Sequence, residues 1–292
     1  MIRSLVGRVR RRLPAPAVRA ARAGLLGWGW LTADLREPPG VIVVGAQRAG
    51  TTTLFRLLSE HPQLRRPTVD KGTGYFDDGY DHGSRWYRAH FPLRRPGRWR
   101  RTGFECSGYY LFHPLAAERI ARDLPGCQVV AMVRDPVARA HSAHRHELAR
   151  GFETLPFAEA VEREQERTAG HAELLAAEPG RVSFEHRHHA YLQRGEYDVQ
   201  VARFIEALGP DRVHVVDADE LFADPVPVYV DLQRRLGLPI HRPDSVGRWN
   251  ERPGEPLPVD LVDRLRRHFD DHDAALAALI GRAPSWRKES LR

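Results

Sequence analysis

Three short and mostly apolar runs stand out along the chain, at 41–44, 128–133 and 213–217. Each has the length of a strand, and strands without alternating polar positions are typical of a parallel sheet that is covered on both faces. Elsewhere apolar residues recur every three or four positions, which is the spacing of an amphipathic helix. This pattern predicts helices over residues 52–60, 114–123, 136–150, 157–167, 196–208, 226–236 and 257–280.

Predicted strands and helices alternate, which indicates a three-layer α/β domain with a central parallel sheet flanked by helices. In such a domain, ligands bind beyond the carboxyl ends of the strands. The 292 residues can bury a core of this size, and no internal repeat is visible. We place the domain at residues 40–292 and treat residues 1–39 as a basic N-terminal extension.

The extension combines a basic segment with a short apolar stretch at 24–31 that contains Trp28 and Trp30. This stretch is too short to span a bilayer, and no cleavage site of a signal peptide follows it. An extension packed on the domain is one interpretation, and weak contact with an anionic membrane surface is the other. The basic residues are Arg8, Arg10, Arg11, Arg12, Arg19 and Arg22.

The net charge of +7 comes from arginine, because only Lys71 and Lys288 are lysines. This charge suits an anionic ligand, a membrane surface or nucleic acid, but no nucleic-acid motif is present. Cys106 and Cys127 have neither metal-ligand spacing nor the pattern of a disulfide framework, so we expect a cytoplasmic protein. A histidine cluster lacks carboxylate or cysteine ligands at zinc-like spacing, and we predict a polar loop or helix face rather than a metal site. It comprises His186, His188 and His189.

The first apolar run leads directly into a loop that is bounded by Gly45 and Gly50, and a helical pattern follows. This is the spacing of a phosphate-binding loop, in which backbone N–H groups and a helix N-terminus converge on an anion. The lysine that normally follows the second glycine is absent: Thr51 stands there, and the cation is Arg48 inside the loop. The arrangement favours a nucleotide that carries sulfate over ATP hydrolysis. A solvated loop arginine is the alternative for Arg48.

A second candidate anion site follows the run at 128–133. Proline is favoured in the first helical turn, so Arg134-Asp135-Pro136 places Arg134 at a strand tip and Ser142 about two turns along the next helix. An arginine fork and a hydroxyl are good partners for a phosphate. Taken alone, this segment could also be a salt-bridged helix cap.

Together, the two segments resemble the nucleotide-binding signatures of sulfotransferases that use 3′-phosphoadenosine 5′-phosphosulfate (PAPS). The resemblance is strongest to the heparan-sulfate and bacterial carbohydrate type, whose P-loop-type α/β fold matches the predicted one. It extends over about residues 40–287. Further matching segments are Tyr75-Phe76-Asp77, Trp86-Tyr87, Phe91-Pro92, Gly195-Glu196-Tyr197 and 213–225.

The resemblance implies transfer of a sulfuryl group from PAPS, without a metal, to a hydroxyl or amine of a carbohydrate or a glycosylated or other small molecule. Arg134 and Ser142 would bind the 3′-phosphate, and Tyr197 would lie near the adenosine. Arg252 and Gly254 belong to a turn where the family closes a basic loop over the nucleotide. The implied ligands of the 5′-phosphosulfate are Gln47, Arg48, Ala49, Gly50, Thr51, Thr52 and Thr53.

The sequence departs from the heparan-sulfate members at two positions. A glutamate before the aromatic pair is replaced by Gly72, and a lysine in the 105 region is replaced by Cys106. The usual base therefore cannot be transferred. Glu105 is the leading carboxylate, and a structural carboxylate bonded to the loop is an equal alternative for it. Asp70, Asp77 and His82 lie nearby in sequence.

Lys71 is a further catalytic candidate, because a compact ammonium in a chain that otherwise uses arginine can contact a sulfate oxygen as a point charge. The alternative is an ordinary surface lysine.

Three other functions are alternatives to an active sulfotransferase. A nucleotide kinase would need a lysine at Thr51 and a magnesium-holding aspartate. A catalytically inactive relative and a non-catalytic basic binding protein complete the alternatives.

Overall fold

The computed structural model describes residues 14–94, 101–243 and 256–288. Its centre is a sheet of five strands in the order β2-β3-β1-β4-β5, and every neighbouring pair is parallel. This confirms the predicted α/β architecture. The strands are β1 (Pro39–Gly45), β2 (Leu64–Arg65), β3 (Thr102–Cys106), β4 (Gln128–Val133) and β5 (Val213–Asp217).

The three predicted strands form β1, β4 and β5, and the sequence pattern missed β2 and β3. Strand β3 carries Gly103 and Glu105 within five residues, so it lacks an apolar run, and yet it pairs with β1 along Val41–Val43. Strand β1 is buried at every residue from Val41 to Val44, which means that both faces of the sheet are covered. Leucines of the next helix and apolar residues of the helix before β5 belong to the same core.

Most predicted helices are present, but two long predictions are each divided in two. The helix predicted over 157–167 is interrupted at Arg163, and that over 257–280 is interrupted at Phe269. The helices are α1 (Ala15–Leu31), α2 (Thr51–Glu60), α3 (Gly83–Ala89), α4 (Ala116–Asp123), α5 (Pro136–Arg150), α6 (Phe157–Glu162), α7 (Glu164–Thr168), α8 (His171–Ala177), α9 (Phe184–His188), α10 (Tyr197–Leu208), α11 (Ala218–Ala223), α12 (Pro225–Arg235), α13 (Val259–His268), α14 (Asp270–Ile280) and α15 (Ser285–Lys288).

Helix α1 lies within the N-terminal extension and packs on α3. Gly29 makes the close contact, since a Cβ atom there would lie 2.3 Å from the carbonyl oxygen of Ala89. Trp28 and Trp30 remain 57% and 50% exposed. Among the described residues, no helix has both the length and the apolar character that crossing a membrane requires.

The parallel arrangement sends the carboxyl ends of the strands toward one edge of the sheet. The loop after β1, the segment after β3, Arg134 after β4 and Asp217 at the end of β5 all lie at this edge. Both anion sites predicted from the sequence are therefore on the same side of the domain.

Candidate functional site

The loop between β1 and α2 has the backbone of an anion cradle. Gly50 adopts a left-handed conformation, with φ of 78°, and a Cβ atom there would lie 2.5 Å from the ring of Phe222. Only glycine meets both conditions, and the turn it makes lets α2 begin at Thr51. The first N–H groups of a helix have no intrahelical partner and carry the positive end of its dipole. The loop therefore presents donors to an anion in front of α2.

Side chains add to these backbone donors. Lys71 Nζ donates to Thr51 Oγ1 at 2.9 Å and lies 3.4 Å from Thr52 Oγ1, so this lysine lies against the first turn of α2. Thr53 Oγ1 is buried and makes no hydrogen bond within the described part of the chain. A buried hydroxyl without a partner costs free energy that a ligand atom would offset. These features fit a bound phosphosulfate group.

Arg48 joins the two predicted anion sites. Its backbone has a φ of 72°, which is uncommon for a residue with a side chain, and its Nε donates to Ser142 Oγ at 3.1 Å. Ser142 lies on α5, which begins after β4. A hydroxyl from the second site thus holds the cation of the first, although 94 residues separate them in the sequence.

Arg134 follows β4 at the tip that the sequence predicted. Its Nε lies 3.6 Å from Asp219 Oδ1, an ion-pair distance, but makes no hydrogen bond within the residues described. Tyr197 is buried, and its hydroxyl donates to the carbonyl oxygen of Arg134 at 3.0 Å. Asp135 caps α5 by accepting from two backbone N–H groups of its first turn. Asp135 and Tyr197 therefore fix the backbone of the second site, and the Nε–H group of Arg134 can still donate a hydrogen bond.

Glu105 lies away from solvent, at 0% exposure. It accepts hydrogen bonds from the backbone N–H and the hydroxyl of Thr73, both at 2.9 Å, and from the hydroxyl of Tyr87 at 3.0 Å. Burial raises its pKa, and these donors counteract the rise. This placement favours the structural alternative: Glu105 holds the segment that carries Lys71 against the end of β3.

Sequence reasoning missed two arginines, one of which contacts the phosphate loop while the other lies over the same aromatic ring. Arg194 is buried, and its guanidinium donates to Gln47 Oε1 and lies 5.0 Å over the ring of Tyr109. Arg187 lies 4.7 Å over the same ring and pairs with Asp78. The signal that could have found Arg194 is its position directly before the matched Gly195-Glu196-Tyr197 segment.

Asp77 lies beside this arginine pair. Its carboxylate is 4.0 Å from the Arg187 guanidinium and only 3% exposed. Burial raises the pKa of Asp77 to about 7, with Arg187 opposing the rise and Glu105 adding to it. Of the other nearby candidates, Asp70 forms an ion pair with Arg22, and His82 stacks on Trp86 at 4.6 Å.

The remaining sequence-predicted residues divide into two groups. Arg252 and Gly254 lie outside the described residues. The histidine cluster is on and next to α9, where each ring contacts a protein partner: Tyr109 for His186, Glu147 for His188 and the carbonyl of Phe152 for His189.

Comparisons with known proteins agree with the geometry. The sequence profile of the sulfotransferase domain family matches residues 38–252. A mouse bifunctional heparan sulfate N-deacetylase/N-sulfotransferase 4 is 25% identical over 287 residues, which cover 87% of this chain and 32% of that protein. A human heparan sulfate glucosamine 3-O-sulfotransferase 5 is 25% identical over 205 residues, covering 70% of this chain and 55% of that protein. The chain thus spans between a third and about half of the length of these relatives.

A solved structure is similar as well. The crystal structure of a sulfotransferase from Alicyclobacillus acidocaldarius has a TM-score of 0.65 and 29% sequence identity to this chain. The match covers 85% of this chain and 98% of the other.

The packing around Gly72, where heparan-sulfate members of the family have a glutamate, leaves no space for a side chain. A Cβ atom at Gly72 would lie 2.4 Å from the carbonyl oxygen of Cys106 and 2.4 Å from Ser107 Oγ. We expect Gly72→Ala to lower the free energy of unfolding by about 1–3 kcal/mol, because the neighbouring backbone must shift. Gly126→Ala is the matched control, with no atom within 4 Å of its added carbon. Equal stability of the two variants in chemical denaturation would contradict this explanation of the glycine.

Proposed function

Because the chain belongs to the sulfotransferase domain family, we propose that it transfers a sulfuryl group from PAPS to a hydroxyl or amine of a carbohydrate or of a glycosylated or other small molecule. The observation that carries this proposal is the contact between Arg48 and Ser142, which makes one continuous site for a nucleotide with an anion at each end. The catalytically inactive relative remains the second candidate, since Gly72 and Cys106 replace the family's glutamate and lysine.

The donor is assigned to the site in two parts. The 5′-phosphosulfate binds to the loop from Gln47 to Thr53 through backbone N–H groups, threonine hydroxyls and Arg48. The 3′-phosphate binds Arg134 and Ser142, and the hydroxyl of Tyr197 holds the backbone carbonyl of Arg134. The unpartnered Thr53 hydroxyl and Arg134 Nε support this assignment, because each has a hydrogen bond left to donate.

Sulfuryl transfer breaks the bond between sulfur and the bridging phosphate oxygen while the acceptor atom attacks in line. Negative charge grows on the leaving phosphate, so donors that are already in place lower the barrier most. Arg48, Lys71 and the N-terminus of α2 supply that charge stabilisation at the loop. We therefore assign no metal to the chemical step.

The acceptor must lose a proton, and we assign its removal to Asp77. Glu105 is already committed to three hydrogen bonds with Thr73 and Tyr87, so we propose a positioning role for it. A carboxylate with a pKa near 7 is well matched to general base catalysis at neutral pH. Arg187 lies beside Asp77 and Arg194 contacts the loop at Gln47, and cations there suit an acceptor that carries acidic groups.

The cellular setting is also a proposal. Cys106 and Cys127 are both free and buried, which suits a reducing compartment, and we infer a cytoplasmic protein. The exposed tryptophans of α1 support weak contact with a membrane surface. We assign no nucleic-acid partner.

The first test of the donor assignment is thermal stability. A ligand that binds only the folded state raises the melting temperature. Adenosine 3′,5′-bisphosphate is expected to raise it far more than ATP with magnesium, because the site has places for two separate phosphates. Equal shifts with the two nucleotides, or a need for magnesium, would refute the PAPS assignment.

The two loop and strand-tip arginines are expected to differ in effect. Arg134→Ala removes a partner of the 3′-phosphate and is expected to weaken donor binding by roughly 1.5–3 kcal/mol. Arg48→Ala is expected to lower turnover more than it weakens binding of the desulfated nucleotide, since leaving-group charge grows in the transition state. Calorimetric affinities and steady-state rates separate the effects. Unchanged turnover in Arg48→Ala would remove Arg48 from the chemical step.

Lys71→Arg keeps the charge but replaces the compact ammonium that reaches the hydroxyls of Thr51 and Thr52. We expect turnover to fall at least roughly tenfold, or about 1.4 kcal/mol of barrier, while affinity for the product nucleotide stays nearly unchanged. Rapid-quench kinetics and calorimetry measure the two quantities. Near-normal turnover would make Lys71 a structural residue.

The pH dependence tests Asp77. The group is charged above its pKa, so turnover is expected to rise with pH and to level off above about pH 7. Asp77→Asn is expected to lose this rise and to reduce turnover by about 10²–10⁴-fold. Asp78→Asn, which changes the neighbouring carboxylate that pairs with Arg187, is the control and is expected to keep the rise. A normal pH profile in Asp77→Asn would assign the base elsewhere.

A further inference from the structure

Three side chains of types that bind metals meet where α10 begins, between the end of α13 and the start of α14. Glu196 precedes α10, His268 ends α13, and His272 lies in the first turn of α14. One ligand atom from each lies within 4.8 Å of the other two. Glu196 Oε1 is 3.4 Å from His268 Nε2 and 3.9 Å from His272 Nε2. Glu196 is distant in sequence from the two histidines, which are four positions apart on either side of the break at Phe269.

Asp198 fixes the chemical state of His272. Its Oδ1 is 2.9 Å from His272 Nδ1, and an ionised carboxylate only accepts, so Nδ1 carries the proton. In a neutral ring, Nε2 then presents a lone pair toward Glu196 Oε1, which is also an acceptor. Two acceptors that face each other need a cation between them or a second proton on the ring. A carboxylate bonded to the remote nitrogen of a metal-binding histidine is the usual support for such a ligand.

From this arrangement, we propose that Glu196, His268 and His272 bind a zinc ion, with Asp198 positioning the ring of His272. Two imidazole nitrogens and one carboxylate oxygen form a common zinc donor set. Tetrahedral coordination at usual bond lengths places ligand atoms about 3.4 Å apart. The Glu196–His268 pair already has this separation, the Glu196–His272 pair at 3.9 Å must close slightly, and the ligand nitrogens of the two histidines lie within 4.8 Å of each other. The side chains are 24–40% exposed, which leaves room for water as a fourth ligand.

The ion would fasten the start of α10 to α13 and α14. Gly195, directly before Glu196, is packed so closely that a Cβ atom there would lie 2.9 Å from both Phe269 and Pro136. Tyr197, directly after it, bonds to Arg134. We therefore assign the zinc ion a structural role near Arg134 and no part in the chemical step. The inference stands whether or not PAPS is the donor. The sequence-based expectation that sulfuryl transfer needs no metal is unaffected by this proposal.

The test is zinc binding by the full chain after treatment with a chelator. Calorimetry is expected to show one equivalent of zinc, and cobalt in its place is expected to give the intense visible bands of a tetrahedral site. His268→Ala and His272→Ala are each expected to weaken binding by more than about 100-fold. Asp198→Ala is expected to weaken it about 10–100-fold, because the ring loses its support. His171→Ala, a half-buried histidine bonded to Ser183, is the matched control and is expected to bind normally.

Thermal stability gives an independent readout. Zinc is expected to raise the melting temperature of wild type and of His171→Ala but not of His272→Ala. The melting temperatures without metal check that each variant folds, and Glu196→Gln replaces any histidine variant that does not. Normal zinc affinity in both histidine variants, or the lack of a one-equivalent site in wild type, would overturn the proposal.

Discussion

The parallel direction of the five strands is the constraint on which the site depends. Because β2, β3, β1 and β4 are neighbours in that order and all parallel, the segments that leave these strands must start side by side at one edge. Arg48, Lys71 and Arg134 are brought to this edge although they come from three separate parts of the chain. Like charges repel when they are gathered, and hydroxyls and helix caps hold these cations in place. An anionic ligand is the component that balances them.

The sequence predicted the parts of this site that depend on local chemistry. The loop at 45–50 could be recognised because glycine spacing, a preceding apolar run and a following helix all lie within about twenty residues. Arg134 and Ser142 could be placed because a proline marks the start of a helix, and helical geometry then fixes the distance between them. The same logic gave β1, β4, β5 and most helices. Their signals come from neighbours in the sequence.

The missed parts depend on contacts between distant residues. Strand β3 is held by its partners on both sides and has no apolar run of its own, so Gly103 and Glu105 concealed it. The contact of Arg194 with Gln47 joins residues 147 positions apart, which no periodicity encodes. Glu105 shows the same limit in its chemistry. Sequence position marked it as a candidate base, whereas full burial among three donors favours the structural alternative.

The single hydroxyl of Ser142 has two partners in the proposed site, Arg48 and the 3′-phosphate. Its Oγ accepts from Arg48 Nε, and in the proposed complex it would also contact the 3′-phosphate. A hydroxyl can donate to the phosphate while it accepts from the guanidinium, so occupation of one end of the nucleotide site orients the cation at the other. The 5′ and 3′ parts of the nucleotide site would then be thermodynamically linked: binding at either part would change the affinity of the other part by the same factor. A nucleotide without a 3′-phosphate would lose this linkage along with its direct contacts. The single hydroxyl of Ser142 would therefore help the site to discriminate between nucleotides with and without that phosphate.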